Sequence, residues 1–217
     1  MRAFHWLSVI GLALLAGVAL AQPAGSHDHG FHDADKWAQV FDDPSRDAWQ
    51  KPHEVIQALA LKSEAKVADL GAGTGYFSAR LAKMLPKGTV YAVDIEPEMV
   101  EYLKQRARRE GLKNVVAVQA RPDDAHLPIK MDLVLVVDVY HHINDRVRYF
   151  EKLKDSLAPG ARLAVIDFRP EAKHGPRPAS RIAAQTVKDE LAAAGYALAA
   201  EHAFLPEQYF LVFGAKN

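Results

Sequence analysis

A glycine-rich turn follows a short apolar run in "VADLGAGTGYF", which covers residues 67–77. Gly71, Gly73 and Gly75 stand at alternate positions, and Asp69 precedes the first of them by two residues. Glycines let the backbone turn sharply and approach a ligand closely. The helix predicted to start after the turn would point its free N–H groups at that ligand. The pattern predicts a ligand-binding turn between a strand and a helix.

The residues around the turn distinguish between the ligands that it could hold. A phosphate-binding P-loop requires Gly-Lys-Ser/Thr, which does not occur in the chain. A dinucleotide site requires a third glycine at position 76 or 78, where the chain has Tyr76 and Ser78. The carboxylate of Asp69 would repel a pyrophosphate and attract a cation. S-adenosylmethionine (SAM) carries an ammonium and a sulfonium group and no phosphate, so it fits this turn.

A second acidic residue, Asp94, lies near the end of the apolar run "TVYAVDI". An acid at the end of this strand can accept hydrogen bonds from both hydroxyls of a ribose. Sites for nicotinamide dinucleotides have the same acid, so Asp94 alone does not identify the ligand. Together with Asp69 and the glycine turn, Asp94 favours SAM over a dinucleotide.

Strand and helix patterns alternate along the rest of the chain, and the helix in "DRVRYFEKLKDSLAPG" is predicted to end at Pro159-Gly160. Several apolar runs lack clean alternation, which is typical of strands covered on both faces. The last two runs, "YALAAEHAF" and "QYFLVFGAK", are too close together for a crossover helix and should pair as an antiparallel hairpin. We predict an α/β fold: a Rossmann-like, doubly wound sheet of seven strands, mostly parallel, with a C-terminal antiparallel hairpin.

Composition excludes several other classes of site. The chain of 217 residues is long enough for one α/β domain with a sizeable core. The absence of cysteine excludes disulfides, thiolate zinc sites and thiol nucleophiles. Lys+Arg and Asp+Glu balance at 27 each, so no global field favours nucleic acid. We expect no metal site and no nucleic-acid partner.

The N-terminal region is predicted to lie outside the main domain. Residues 1–21 have one early basic residue, an apolar run and a terminal Ala-Leu-Ala, which is typical of a cleaved signal peptide. Residues 22–36 are polar and are interpreted as a flexible linker. Residues 37–52 contain three large aromatic side chains and are predicted to fold back as an N-terminal flap. The main domain is predicted over residues 53–217.

Four segments of the chain together resemble the class I SAM-dependent methyltransferases. "VADLGAGTGYFS" is similar to the first motif of that family and "VYAVDIEPEMV" to the second. "MDLVLVVDVYHHIND" resembles the fourth-strand motif, and "LKDSLAPGARLAVIDF" resembles the segment that leads into the fifth strand. The resemblance covers about Trp49 to Phe213 and is greatest to the small-molecule methyltransferases that act on quinones and arsenite. The arsenite branch is excluded, because its chemistry needs cysteine thiolates.

The resemblance implies a role for each residue of the cofactor site. Asp69 and the three glycines of the turn would hold the methionine end of SAM, Asp94 the ribose, and Ile95 the adenine. Relatives commonly have Gly-Asp where this chain has Ala120-Arg121. Either of two neighbouring acids, Asp123 and Asp124, could then bind the adenine amino group. Their alternative role is that of turn residues.

The end of the fourth strand would supply the acceptor site. Asp138 and Tyr140 would border SAM, with Tyr140 and His141 as candidates for contact with the methyl acceptor. His141 and His142 are neighbours in the chain, so at most one is expected to face the acceptor, and a buried structural histidine is the alternative.

The flap and the loop "RPEAKHGPRPASR" are predicted to determine which acceptor binds. That loop has four basic residues: Arg169, Lys173, Arg177 and Arg181. They suggest either an anionic group on the acceptor or a solvated surface. The expected function is SAM-dependent methylation of a small molecule. The alternative is an exported, non-catalytic binding protein with a methyltransferase-like fold.

We predict that the protein is periplasmic or secreted, with cleavage between Ala21 and Gln22 and no stable membrane insertion afterwards. The alternative is a membrane anchor, although the apolar run is shorter than the roughly 20 residues that a span needs. Mass spectrometry of protein from the native host should find a mature N-terminus at or near Gln22. An intact Met1 in the soluble cytoplasmic fraction would contradict both the cleavage and the location.

Overall fold

The computed structural model of the chain describes residues 33–216. The predicted signal peptide and most of the predicted linker lie outside that range. Among the described residues, no helix is long and apolar enough to cross a membrane. Cleavage and export therefore stay predictions from the sequence.

Seven strands form one sheet. They are β1 (Lys66–Leu70), β2 (Thr89–Asp94), β3 (Val115–Gln119), β4 (Met131–Val137), β5 (Leu157–Phe168), β6 (Tyr196–His202) and β7 (Gln208–Ala215). Their order across the sheet is β3-β2-β1-β4-β5-β7-β6. The first five strands pair in parallel, whereas β7 runs antiparallel to both of its neighbours. The predicted mostly parallel, seven-stranded fold with a C-terminal hairpin is confirmed.

Helices connect the strands and precede the first of them. They are α1 (Ala34–Phe41), α2 (Asp47–Gln50), α3 (Pro52–Ala58), α4 (Tyr76–Met84), α5 (Pro97–Arg109), α6 (Arg146–Leu153) and α7 (Ala184–Ala193). In α5, Pro97 occupies the first turn and Arg109 the last, which suits the fixed φ of proline and the direction of the helix dipole. The chain turns beyond this helix at Gly111, where φ is +66°.

The sheet is covered on both faces, which explains its near-continuous apolar strands. Val134 and Val136 of β4 pack into a core with Phe150 of α6. Leu133 and Leu135, the alternating residues of the same strand, pack into a second core on the opposite face with residues of α3 and α4. The carboxyl ends of the parallel strands are thereby held at one edge of a rigid layer.

The predicted end of α6 at Pro159-Gly160 is wrong. The helix ends at Leu153, and β5 already begins at Leu157. The pairing of β4 with β5 shifts register between Met131 and Leu133, so the start of β5 is irregular. Proline and glycine are tolerated in a strand at such an irregularity, where they do not act as a helix stop.

The predicted flap, residues 37–52, is helical and packs on the domain; its first helix begins three residues earlier, at Ala34. Arg106 Nη1 of α5 lies 2.7 Å from Asp42 Oδ1 of the flap. Arg80 Nη2 of α4 lies 2.9 Å from Asp47 Oδ1. These ion pairs hold the flap against two helices of the main domain.

Candidate functional site

A cavity of about 360 Å³ lies at the carboxyl ends of the parallel strands, beneath the flap. Its lining comes from the glycine turn, from the ends of β2, β4 and β5, from the flap, and from the loop after β5. Ligands of open α/β sheets bind at this edge, where the strand order reverses between β1 and β4. The volume is within the range of small-molecule sites.

The glycine turn is fixed by the neighbouring strands. The N–H groups of Gly71 and Ala72 donate to the carbonyl oxygen of Val93, at 2.8 and 2.9 Å. Gly71 has φ of +72°, and a Cβ added there would lie 2.3 Å from Cγ2 of Val139. Only glycine therefore lets the turn pass this close to the end of β4. Gly75, the third glycine of the turn, precedes the first residue of α4.

Asp94 connects the turn to the end of β2. Its Oδ2 accepts a 2.7 Å hydrogen bond from the N–H of Gly73, and its Oδ1 accepts from the N–H of Glu96 at 3.0 Å. Burial raises the pKa of Asp94 above its ordinary value, although these bonds act in the opposite direction. A carboxylate has about four acceptor positions, so Asp94 keeps acceptor capacity for a ligand in the cavity. Ile95, the next residue, also lines the cavity and is 46% exposed.

Asp69 lies at the base of the cavity and is almost completely buried. Its Oδ2 accepts a 2.6 Å hydrogen bond from the hydroxyl of Ser78. Burial raises the pKa of Asp69 from 3.8 to about 6, because a charged carboxylate loses solvation there. A cation nearby would favour the ionised form.

Asp138 follows β4 with a φ of +59° and lines the cavity. Arg46 Nη2 of the flap lies 3.1 Å from its Oδ2, and Gln208 donates to its Oδ1. Burial raises the pKa of Asp138 to about 7, and the positive charge of Arg46 acts against that increase. The flap therefore contributes a cation to the site, which the sequence did not indicate.

His141 is held by an acid at the end of β5. Its Nδ1 lies 2.9 Å from Oδ2 of Asp167, and its backbone N–H donates to the same oxygen at 3.2 Å. Both side chains are nearly inaccessible to solvent. His142 also lines the cavity, with its ring centre 4.1 Å from that of His141. The structure thus brings both histidines to the cavity, where at most one was expected to face the acceptor.

Tyr140 is not brought to the cavity. Its ring is fully buried and stacks on Phe150 in the core. Its hydroxyl donates to Glu190 Oε2 at 2.7 Å, and Arg146 pairs with the same carboxylate. The 3₁₀ turn that begins at Tyr140 directs this side chain towards α6 and α7, away from the cavity.

The two acids proposed for adenine also lie outside the cavity. Asp123 has an 81% exposed side chain and lies 3.7 Å from Lys152 Nζ. Asp124 accepts a 2.7 Å hydrogen bond from the N–H of His126 and forms a backbone bridge with Arg121. This geometry is that of turn residues, the alternative role considered for them.

The cavity residues that the sequence did not identify individually include Arg46, Thr74, Trp49 and Phe168. Asp167, which holds His141, was also missed. A signal for Asp167 existed, because it lies near the end of a parallel strand as Asp69 and Asp94 do. No local pattern indicated Arg46, whose partner Asp138 is 92 residues away.

The cavity has the polar groups that SAM requires. Thr74 Oγ1 is buried and has no hydrogen-bond partner within the described range, so a ligand group can satisfy it. Asp94 retains acceptor capacity for ribose hydroxyls, and Asp69 and Asp138 provide negative charge for a cation. Among residues 33–216, no cluster of three or more His, Cys, Asp or Glu side chains is arranged to hold a metal ion.

Comparison with known proteins identifies methyltransferases. A family model described as "Methyltransferase domain" matches residues 61–205. The protein-L-isoaspartate O-methyltransferase of Aeropyrum pernix is 34% identical over 115 residues, which cover 51% of this chain and 42% of that protein. A ubiquinone/menaquinone biosynthesis C-methyltransferase of Wigglesworthia glossinidia brevipalpis is 27% identical over 119 residues, or 52% of this chain and 47% of that protein. The chain thus spans less than half the length of these curated relatives.

Solved structures extend the similarity to nearly the whole domain. A SAM-dependent methyltransferase from Aquifex aeolicus superposes with a TM-score of 0.78 at 29% identity, covering 84% of this chain and 98% of that chain. The magnesium protoporphyrin IX methyltransferase of Synechocystis PCC 6803, solved with bound SAH, gives a TM-score of 0.65 at 18% identity and supports the fold alone. It covers 84% of this chain and 93% of that chain.

The buried charge of Asp69 makes the stability of the ligand-free protein depend on pH. Its folded pKa of about 6 exceeds the ordinary value of 3.8, so the folded state binds more protons between these values. Its contribution to stability therefore falls as pH rises from about 4 to 6.

Asp69→Asn should raise the melting temperature at pH 7.5, and the gain should shrink at pH 4.5. Thermal melts can test this against Asp155→Asn, an exposed control. An Asp69→Asn protein that is less stable than wild type at pH 7.5 would contradict the prediction.

Proposed function

The chain belongs to the methyltransferase domain family, and from this premise we propose that it transfers a methyl group from SAM to a small-molecule acceptor. The observation that carries the proposal is the cavity itself, in which the glycine turn meets the buried acids Asp69 and Asp94 and the partly buried Asp138. A ligand with positive charge and no phosphate suits these groups. When bound, SAM supplies an activated methyl group, so alignment of the acceptor provides much of the rate acceleration.

Residues of both the main domain and the flap would hold the cofactor. Asp94 accepts from the ribose hydroxyls, and Ile95 packs on the adenine. The glycine turn holds the methionine end, where the hydroxyl of Thr74 gains a partner. Arg46 is also suited to this end, since its guanidinium lines the cavity 4.2 Å from the ring centre of Tyr76 and can bind a carboxylate.

The acceptor would bind at the other end of the cavity, beside His141. This histidine is held by Asp167, so its ring has a fixed orientation at the cavity wall. Tyr140 and the acids Asp123 and Asp124 have no place in this proposal, because none of them lines the cavity. Tyr140 instead anchors the turn that carries His141.

We keep export as part of the proposal, on the N-terminal sequence pattern alone. A non-catalytic binding protein with this fold is the second candidate for an exported chain. It is not favoured, since the glycine turn, Asp69 and Asp94 are all intact and arranged around one cavity.

Removing the carboxylate of Asp94 should weaken SAM binding. Loss of a hydrogen bond to a charged group typically costs about 1.5–3 kcal/mol, or roughly tenfold or more in affinity. Asp94→Ala also removes the bond to the Gly73 N–H, whereas Asp94→Asn keeps an oxygen that can accept it. Titration calorimetry should therefore find weaker SAM binding in both variants. Thermal melts should find a smaller loss of stability in Asp94→Asn than in Asp94→Ala. The matched control, Asp155→Ala on the surface, should bind SAM normally. Unchanged affinity in both Asp94 variants would rule out the proposed ribose contact.

A further inference from the structure

We propose that the methyl acceptor is an uncharged, planar compound with a weakly acidic hydroxyl group, a hydroxyarene, and that His141 removes its proton while Asp167 positions the histidine. The inference rests on the proposed methyl-transfer function and adds the substrate class. It is carried by three features of the acceptor end of the cavity: its aromatic walls, the pairing of its charges, and the His141–Asp167 contact.

Aromatic side chains from separate segments form the walls. The ring of Trp49, from the flap, lies 5.6 Å from that of Phe168 at the end of β5. Trp49 also stacks on His174 of the following loop, with centroids 5.4 Å apart and planes 6° apart. Gly175, at φ of +90°, lies so close to Phe168 that an added Cβ would be 2.6 Å from its ring. Flat aromatic walls of this kind favour a planar ring that can stack.

The basic loop after β5 does not provide a site for an anion. Arg181 donates through its guanidinium to the carbonyl oxygens of Pro170, Ala172, His174 and Pro176, at 2.6 to 3.1 Å. This side chain therefore holds the loop in shape.

The four basic residues of the loop are Arg169, Lys173, Arg177 and Arg181. None of them lines the cavity. The cation that does line the cavity, Arg46, lies on the methionine side in our proposal and pairs with Asp138. At the acceptor end, the acid Asp167 is engaged by His141. Because no unpaired charge is left for the acceptor there, an uncharged acceptor fits better than an anion or a cation.

The His141–Asp167 contact determines which ring nitrogen can act as a base. A carboxylate only accepts hydrogen bonds, so Nδ1 of His141 carries a proton and donates it to Asp167. Nε2 is then the nitrogen that can take a proton. As the acceptor oxygen forms its bond to the methyl carbon, the carbon–sulfur bond breaks, S-adenosylhomocysteine (SAH) leaves, and the hydroxyl proton passes to Nε2.

The acidity of the acceptor's hydroxyl group determines how readily His141 can remove its proton. A phenolic hydroxyl such as that of tyrosine has a pKa of about 10. Water, which resembles an aliphatic hydroxyl, has a pKa of about 15.7 and is a far weaker acid. A neutral imidazole therefore assists loss of the phenolic proton more readily than loss of the proton of an aliphatic alcohol.

A matched set of compounds tests the substrate class. The full chain is incubated with SAM and with phenol, 2-naphthol or 9-phenanthrol, and SAH formation is measured. The controls are 2-naphthoic acid, 2-naphthylamine and decahydro-2-naphthol, which change the charge, the nucleophile and the planarity. We expect at least one hydroxyarene to be methylated at least tenfold faster than every control, and to bind in the presence of SAH by calorimetry.

Two other results would overturn the inference. One is turnover of a control compound at least as fast as every hydroxyarene. The other is a protein that binds SAM but binds and methylates none of the three hydroxyarenes. A protein that does not bind SAM would instead overturn the proposed function itself.

Variants test the base and its positioning residue. Asp167→Asn can donate an amide proton to Nδ1, which would move the histidine proton to Nε2 and remove the base. We expect Asp167→Asn and His141→Gln each to lower the rate with the best hydroxyarene roughly 100-fold. Affinities for SAM and for that hydroxyarene should stay within a fewfold of wild type. His141→Gln keeps Asp167 in place, so it remains informative if Asp167→Asn does not fold. Unchanged rates in the folded variants would contradict the assigned roles.

Discussion

Four carboxylates, three buried and one partly buried, meet at one edge of the sheet, because β1, β2, β4 and β5 each have an aspartate at or near their carboxyl ends. These are Asp69, Asp94, Asp138 and Asp167. Burial of so many acids disfavours their charged forms, as the raised pKa values of the first three indicate. Hydrogen-bond donors offset part of this cost of burial. Within the described range, Arg46 is the one permanently charged residue that pairs with any of these acids. The edge therefore retains a negative character that favours a cationic ligand.

The same constraint explains why the flap belongs to the site. Arg46 provides positive charge to Asp138, and Gln50 of the flap donates to Gln208 at 2.8 Å, which in turn donates to Asp138. Trp49 adds a wall to the acceptor end. Removal of the flap would deprive Asp138 of its cation and would open one side of the cavity. We infer that the flap stabilises the ligand-free site as well as shaping it.

Local patterns were sufficient for the fold and for placing Asp69 and Asp94 at the cavity. Asp69 and Asp94 were predicted because strand ends, glycine turns and helix starts are specified by residues close together in the chain. Tyr140 was expected at the acceptor site, but its side chain points into the core. The 3₁₀ turn after β4 sets this direction, which the local sequence pattern does not specify. Arg46 depends on a contact between residues far apart in the chain, which no local pattern encodes. Asp167 was accessible in principle, by extending the strand-end argument to β5.

We propose that the acidic edge and the glycine turn form a site for SAM and not for a phosphate-bearing dinucleotide. Titration calorimetry of the chain with SAM and with NADH, under identical conditions, tests it most directly. We expect saturable binding of SAM at one site and no measurable binding of NADH, whose pyrophosphate would approach the carboxylates of Asp69 and Asp94. Saturable binding of NADH, with no heat from SAM, would contradict it.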